Sequence, residues 1–122
     1  MDRPQRLARR QEQQAARSYG GRATPASGSR DTKGDVETAT ELIECKHTER
    51  KSFSLKLAEL MRAATQAILA SKRMVFEVEF TQPDGSHPVR FVVLNKDEYI
   101  AMRDRHCGEG CTGYDCDFCG RR

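Results

Sequence analysis

Asp35, Glu44 and Lys46 are the residues of this chain best suited by type and spacing to do chemistry. The segment Asp35-Val36-Glu37-Thr38-Ala39-Thr40-Glu41-Leu42-Ile43-Glu44-Cys45-Lys46 reads as two short strands around a turn. Side chains alternate faces along a strand, so Glu44 and Lys46 share one face while Ile43 and Cys45 take the other. Two acids can hold a hard divalent cation through oxygen, with an ammonium beside a water or a phosphate. That combination suits metal-dependent phosphodiester cleavage. The plainer alternative is a set of solvated strand residues, since D-x(8)-E-x-K patterns also arise by chance.

The surrounding pattern supplies elements to position them. Residues 4–18 read as a helix with few apolar positions (Leu7, Ala8, Ala15, Ala16) and Glu12 as its one acid, ended by Gly20-Gly21. Residues 22–25 are short and extended, and 26–34 form a loop rich in serine and glycine. After the hairpin, residues 52–55 are read as an additional short strand. Leu57, Leu60, Met61, Ala64, Ala67 and Ile68 fall at helical spacing and predict a helix over 56–71 covering the sheet. Residues 74–80 alternate as a half-buried strand, Pro83-Asp84-Gly85-Ser86 is turn chemistry, and 89–94 return as a second strand. A short helix from Asn95 to about Arg103 follows. The order α-β-β-β-α-β-β-α implies an α/β fold, a mixed sheet flanked by helices, with a short Cys-rich C-terminal tail.

The chain has 122 residues, enough for one small core, and 32% of them are charged. No apolar run is long enough to span a bilayer, and the basic N-terminus lacks an apolar h-region, so the expectation is a soluble cytoplasmic protein with no membrane partner. The net charge of +3 is unevenly placed. Residues 1–33 carry eight cations against three carboxylates, and all but Lys33 of those cations are arginines, whose forked guanidinium matches phosphate. Arg9, Arg10, Arg22, Arg30 and Lys33 are therefore candidate DNA contacts, although a basic arm also serves solubility alone. His47 falls on the face opposite Lys46 and His87 in a turn; neither is assigned a role.

Cys107, Cys111, Cys116 and Cys119 crowd the C-terminus. Four thiolates suit a structural zinc ion, and C-x(2)-C is a familiar half-site, but the four-residue spacer between the halves is short. The alternative is a reduced tail without metal. Zinc bound there would be separate from the hairpin metal. Cys45 stands apart and reads as a small buried hydrophobe.

Layout and residues together resemble the PD-(D/E)xK nuclease superfamily, and within it the archaeal Holliday-junction resolvases and small resolvase-like nucleases of phages. Glu12 on the first helix, Pro25-Ala26-Ser27-Gly28-Ser29, Gly34-Asp35-Val36, Ile43-Glu44-Cys45-Lys46 and Lys51-Ser52-Phe53-Ser54-Leu55-Lys56-Leu57 carry the likeness. It runs from about residue 6 to 103 and leaves the tail uncovered. Gly34 stands where the family name has proline, a backbone-shaping position without chemistry.

The resemblance implies a restriction-endonuclease-like core in residues 1–103, with 104–122 as a Cys-rich, zinc-binding candidate tail. It implies Asp35 and Glu44 as ligands of Mg²⁺ or Mn²⁺, helped by the Cys45 carbonyl oxygen. Glu12 would complete the site, Lys46 would orient the attacking water and steady phosphate charge, and Ser27 or Ser29 would touch the scissile phosphate. Glu12 as a solvated helix residue and the serines as turn formers are the alternatives. The implied function is a structure-selective endonuclease cutting branched DNA such as four-way junctions, as a homodimer. A non-catalytic nucleic-acid-binding protein on the same fold, or a nicking or repair nuclease with another branched substrate, are the competing readings.

Overall fold

A computed structural model describes residues 2–24 and 35–107. Helix α1 (Arg3–Tyr19) begins with a reciprocal cap: the Asp2 carboxylate accepts from the Gln5 N–H at 2.9 Å, and the Gln5 side chain accepts from the Asp2 N–H at 3.2 Å. It ends at Gly20 with φ of 71°, a left-handed conformation that glycine adopts without steric cost. Gly21 then lets the chain pass tightly against β2, because a Cβ there would collide with the Glu37 carbonyl oxygen.

Strands β1 (Arg22–Ala23), β2 (Val36–Glu37), β3 (Glu41–Thr48), β4 (Arg73–Phe80) and β5 (Val89–Val93) form one sheet in that order. The β3–β4 pair is parallel and every other pair antiparallel. A parallel pair needs a crossover, which α2 (Leu57–Leu69) provides. Helix α3 (Lys96–Cys107) follows β5. The molecule is thus α/β, a five-stranded mixed sheet with helices on its faces, in the order read from the sequence. Among the described residues, no helix is long and apolar enough to cross a membrane.

Two apolar layers sandwich the sheet. On one face Leu42, Met74, Phe76 and Val78 meet Ala63 and Ala67 of α2. On the other, Val36, Ile43 and Val75 meet Ala15 of α1. Strand β4 is accordingly buried on both faces, where alternation predicts a half-exposed strand. Its two glutamates lie inside because each has a partner. Glu77 accepts from Tyr19 Oη at 2.8 Å and from Gln11 Nε2 at 3.1 Å, and Glu79 pairs with Arg90 at 2.7 Å directly across the β4–β5 ladder.

Three further expectations are corrected. Residues 52–55 form no strand; they lead into α2. Helix α2 docks through the edge of its apolar stripe. Ala63 and Ala67 allow close approach and Leu60 and Ala64 pack beside them, while Leu57, Met61 and Ile68 stay more than half exposed. Helix α3 runs on to Cys107, past the expected end near Arg103.

Candidate active site

The β2–β3 hairpin holds Asp35 by backbone and side chain at once. Its N–H donates to the Ile43 carbonyl and its carbonyl accepts from the Thr24 N–H, both at 2.9 Å. Val36 lies opposite Ile43, so continuing the antiparallel register by one residue brings Asp35 opposite Glu44. The Cys45 N–H donates to Asp35 Oδ2 at 2.8 Å, which fixes the carboxyl against the strand that carries Glu44 and Lys46. Those two share a face as alternation requires, with Lys46 Nζ 3.7 Å from Glu44 Oε1. All three residues are half-buried.

Helix α1 brings the third acid. Glu12 is half-buried and close enough for the charges of Asp35 and Glu44 to act on it. Burial, then Asp35, then Glu44 raise its carboxyl above the usual range, against the pull of Arg9. Burial also raises Asp35, opposed by the Cys45 N–H and by Lys46. Glu44 is raised by burial and by Asp35, opposed by Lys46 and Arg62. The three carboxylates therefore share a common electrostatic strain: each is desolvated, and Glu12 and Glu44 also feel the charge of Asp35.

That donor set fits a hard divalent cation, because oxygen ligands short of positive charge are what such an ion requires. Asp35, Glu44 and Glu12 are the side chains that would hold it. They are neighbours rather than a closed cage: among the described residues, no three His, Cys, Asp or Glu side chains converge tightly enough to hold a metal ion.

Gln11 belongs to this arrangement, and the reading of α1 as polar over most of its surface overlooks it. It is 1% exposed, and its Nε2 donates both to the Lys46 carbonyl oxygen at 3.0 Å and to Glu77. Helix α1 is thereby pinned to the strand carrying Lys46, one residue before Glu12. Leu7, Gln11 and Ala15 recur every fourth residue and form the buried stripe, so the spacing marks Gln11 as an inward position despite its polarity.

Other candidates fall into place differently. Arg22 is engaged with Glu37 at 2.8 Å and helps clamp β1 to β2. Arg9 acts on Glu12, whereas Arg10 lies on the flank of α1 that faces the β4–β5 turn. Cys45 is a half-buried free thiol whose pKa is pushed up by burial first and by Asp35 next, which keeps it protonated and unreactive. His47 is half-buried and His87 exposed. Ser27, Ser29, Arg30, Lys33, Cys111, Cys116 and Cys119 lie outside the described residues, and Cys107 closes α3. Comparisons with family models, with curated proteins and with solved structures find no match to this chain.

Proposed function

We propose that this protein is a metal-dependent, structure-selective DNA endonuclease, resembling the Holliday-junction resolvases, that hydrolyses phosphodiester bonds in branched DNA. The observation that carries the reading is the placement of Asp35 against the strand that carries Glu44 and Lys46, with Glu12 of α1 near enough for the charges of Asp35 and Glu44 to act on it. Partly desolvated acids set near one another cost folding free energy, which supports a functional reading over plain architecture. The parallel β3–β4 pair bridged by α2, with α1 on the opposite face, supports a restriction-endonuclease-like description of the core.

A bound Mg²⁺ or Mn²⁺ would supply Lewis acidity toward the phosphate and lower the pKa of the attacking water. The chain's own contribution is positional. Asp35 is aimed by the Cys45 N–H, and Gln11 holds the Lys46 backbone, so that acids and ammonium keep a fixed relation. The Lys46 ammonium orients the nucleophile and balances charge that builds on the phosphate. Arg9 and Arg10, with the arginine-rich segment around them, attract the polyanion.

A non-catalytic nucleic-acid-binding role is favoured by one observation, the lack of a tight three-ligand cluster among the described residues. One assay separates the readings: purified protein with Mg²⁺ on a four-way junction, a flap and a linear duplex. Cutting of the junction alone fits the resolvase reading. Cutting of the flap instead fits another branched-DNA nuclease, and binding without cleavage fits the non-catalytic one.

A further inference from the structure

The flank of α1 away from Glu12 borders an open pocket of about 480 Å³, closed on its far side by the β4–β5 turn. Arg3, Arg10 and Arg17 recur every seven residues along this flank, and Arg90 of β5 lines the pocket from below. No aspartate or glutamate is among the described residues that line it. Asp84, in the same turn, is occupied by the N–H and hydroxyl of Ser86. Arg3 is paired with Glu49 and Arg90 with Glu79, but among the described residues the side chains of Arg10 and Arg17 make no hydrogen bond or ion pair.

A second observation points to a ligand. Thr81 lines the pocket, is 8% exposed, and its Oγ1 has no hydrogen-bond partner. Buried polar groups without partners are uncommon, since each forfeits its hydration with no return. The Thr81 hydroxyl, which can donate, stands beside two guanidinium groups that have no partner among the described residues, a donor set that an anion with several acceptor oxygens would satisfy.

We propose that this pocket binds the phosphate backbone of a second segment of the nucleic-acid substrate, away from the hairpin acids. Seven residues at a rise of about 1.5 Å put the backbones of Arg10 and Arg17 roughly 10 Å apart along the helix, which lets the two side chains engage separate phosphates. Successive phosphates of a strand span such a separation. The volume also admits a nucleotide unit, within the range of about 300–1,000 Å³ usual for ligand sites. The choice of a polynucleotide over a free nucleotide rests on the nuclease reading; the anion chemistry does not.

The test reads binding of a fluorescein-labelled four-way junction in EDTA, over a series of salt concentrations, so that cleavage plays no part. Arg10→Ala/Arg17→Ala should weaken binding at least tenfold and lower the salt slope by one to two units, at about 0.9 per lost phosphate contact. Thr81→Val keeps shape and removes only the hydroxyl, so it should weaken binding several-fold without lowering Tm. Asp35→Ala should retain binding. Unchanged affinity and slope in the double variant overturn the proposal, as does a Thr81→Val protein that loses Tm but not affinity. Thermal shift with dAMP and with inorganic phosphate separates the sources. Stabilisation by dAMP that vanishes in the double variant, with junction binding intact, would assign the pocket to free nucleotides and overturn the polynucleotide claim. Failure of Mg²⁺-dependent cleavage would count against the hairpin site and leave this result standing.

Discussion

Asp35, Glu44 and Lys46 make opposite demands on the fold, and those demands are separable by substitution. The two acids are desolvated with their carboxyl pKa values raised, so the folded state holds their protons more tightly than the unfolded chain does. Stability from such a group is complete below its unfolded pKa and is lost as pH rises through the raised folded value. At neutral pH the charged acids therefore oppose folding. Asp35→Asn and Glu44→Gln should each raise Tm of the metal-free protein at pH 7.5 and abolish cleavage, a trade checked by calorimetry and a junction assay on the same samples. Retained cutting would remove these residues from the mechanism. Mg²⁺ should stabilise the wild-type protein at pH 7.5 by about 2.7 kcal/mol at a hundredfold excess over Kd, seen as a raised Tm, and progressively less as pH falls and the acids protonate. Lys46→Ala should lower turnover by about 10²–10⁴-fold, the span usual for a positioned proton-transfer or charge-stabilising group, while junction affinity stays near wild type.

At the scale of elements, α1 decides whether the hairpin acids gain a third. Its docking depends on the Gly21 passage and on Gln11. Gly21→Ala puts a methyl into the Glu37 carbonyl and must push β1 from β2, where the register of Asp35 is set. Gln11→Ala leaves Glu77 with Tyr19 alone and should cost about 1–3 kcal/mol. Both variants should lose activity beyond their loss of stability, measured by urea melts beside cleavage rates; activity that merely follows the folded fraction would reduce α1 to scaffolding. Much of this architecture was legible in the sequence. Apolar spacing placed α2, the Gly20-Gly21 pair marked the end of α1, and alternation put Glu44 and Lys46 on one face. It could not show that Glu77 and Glu79 are buried, because their partners Tyr19, Gln11 and Arg90 arrive from other elements. For the same reason Gln11 passed as a surface residue. Nor could periodicity tell which edge of the wide apolar stripe of α2 would dock. Small Ala63 and Ala67 decided that by permitting closer approach than Leu57 or Met61.

For the whole molecule, the apolar surface that the fold leaves uncovered bears on assembly. Leu57, Met61, Ile68 and Leu69 of α2 are 56–81% exposed, and on β5 Phe91 is 61% exposed although it meets Phe80 edge-on. Strand β5 is also one of the two edge strands of the sheet among the described residues, and an exposed apolar edge strand invites pairing. Among the described residues these groups stay exposed, and a domain of this size has little spare material for covering them. A two-fold interface would bury them, and it would also set two hairpins against the two strands of a junction, as symmetric resolution requires. The expected state is a homodimer, seen by light scattering at micromolar concentration, that makes paired cuts symmetrically across the branch. Phe91→Glu and Met61→Glu alter exposed side chains and should leave the fold intact; at least one should yield monomers that bind junctions more weakly and nick without pairing. If wild-type protein is monomeric both free and on DNA, the uncovered surface has another purpose and the resolvase reading falls, while a nuclease with unpaired cuts remains.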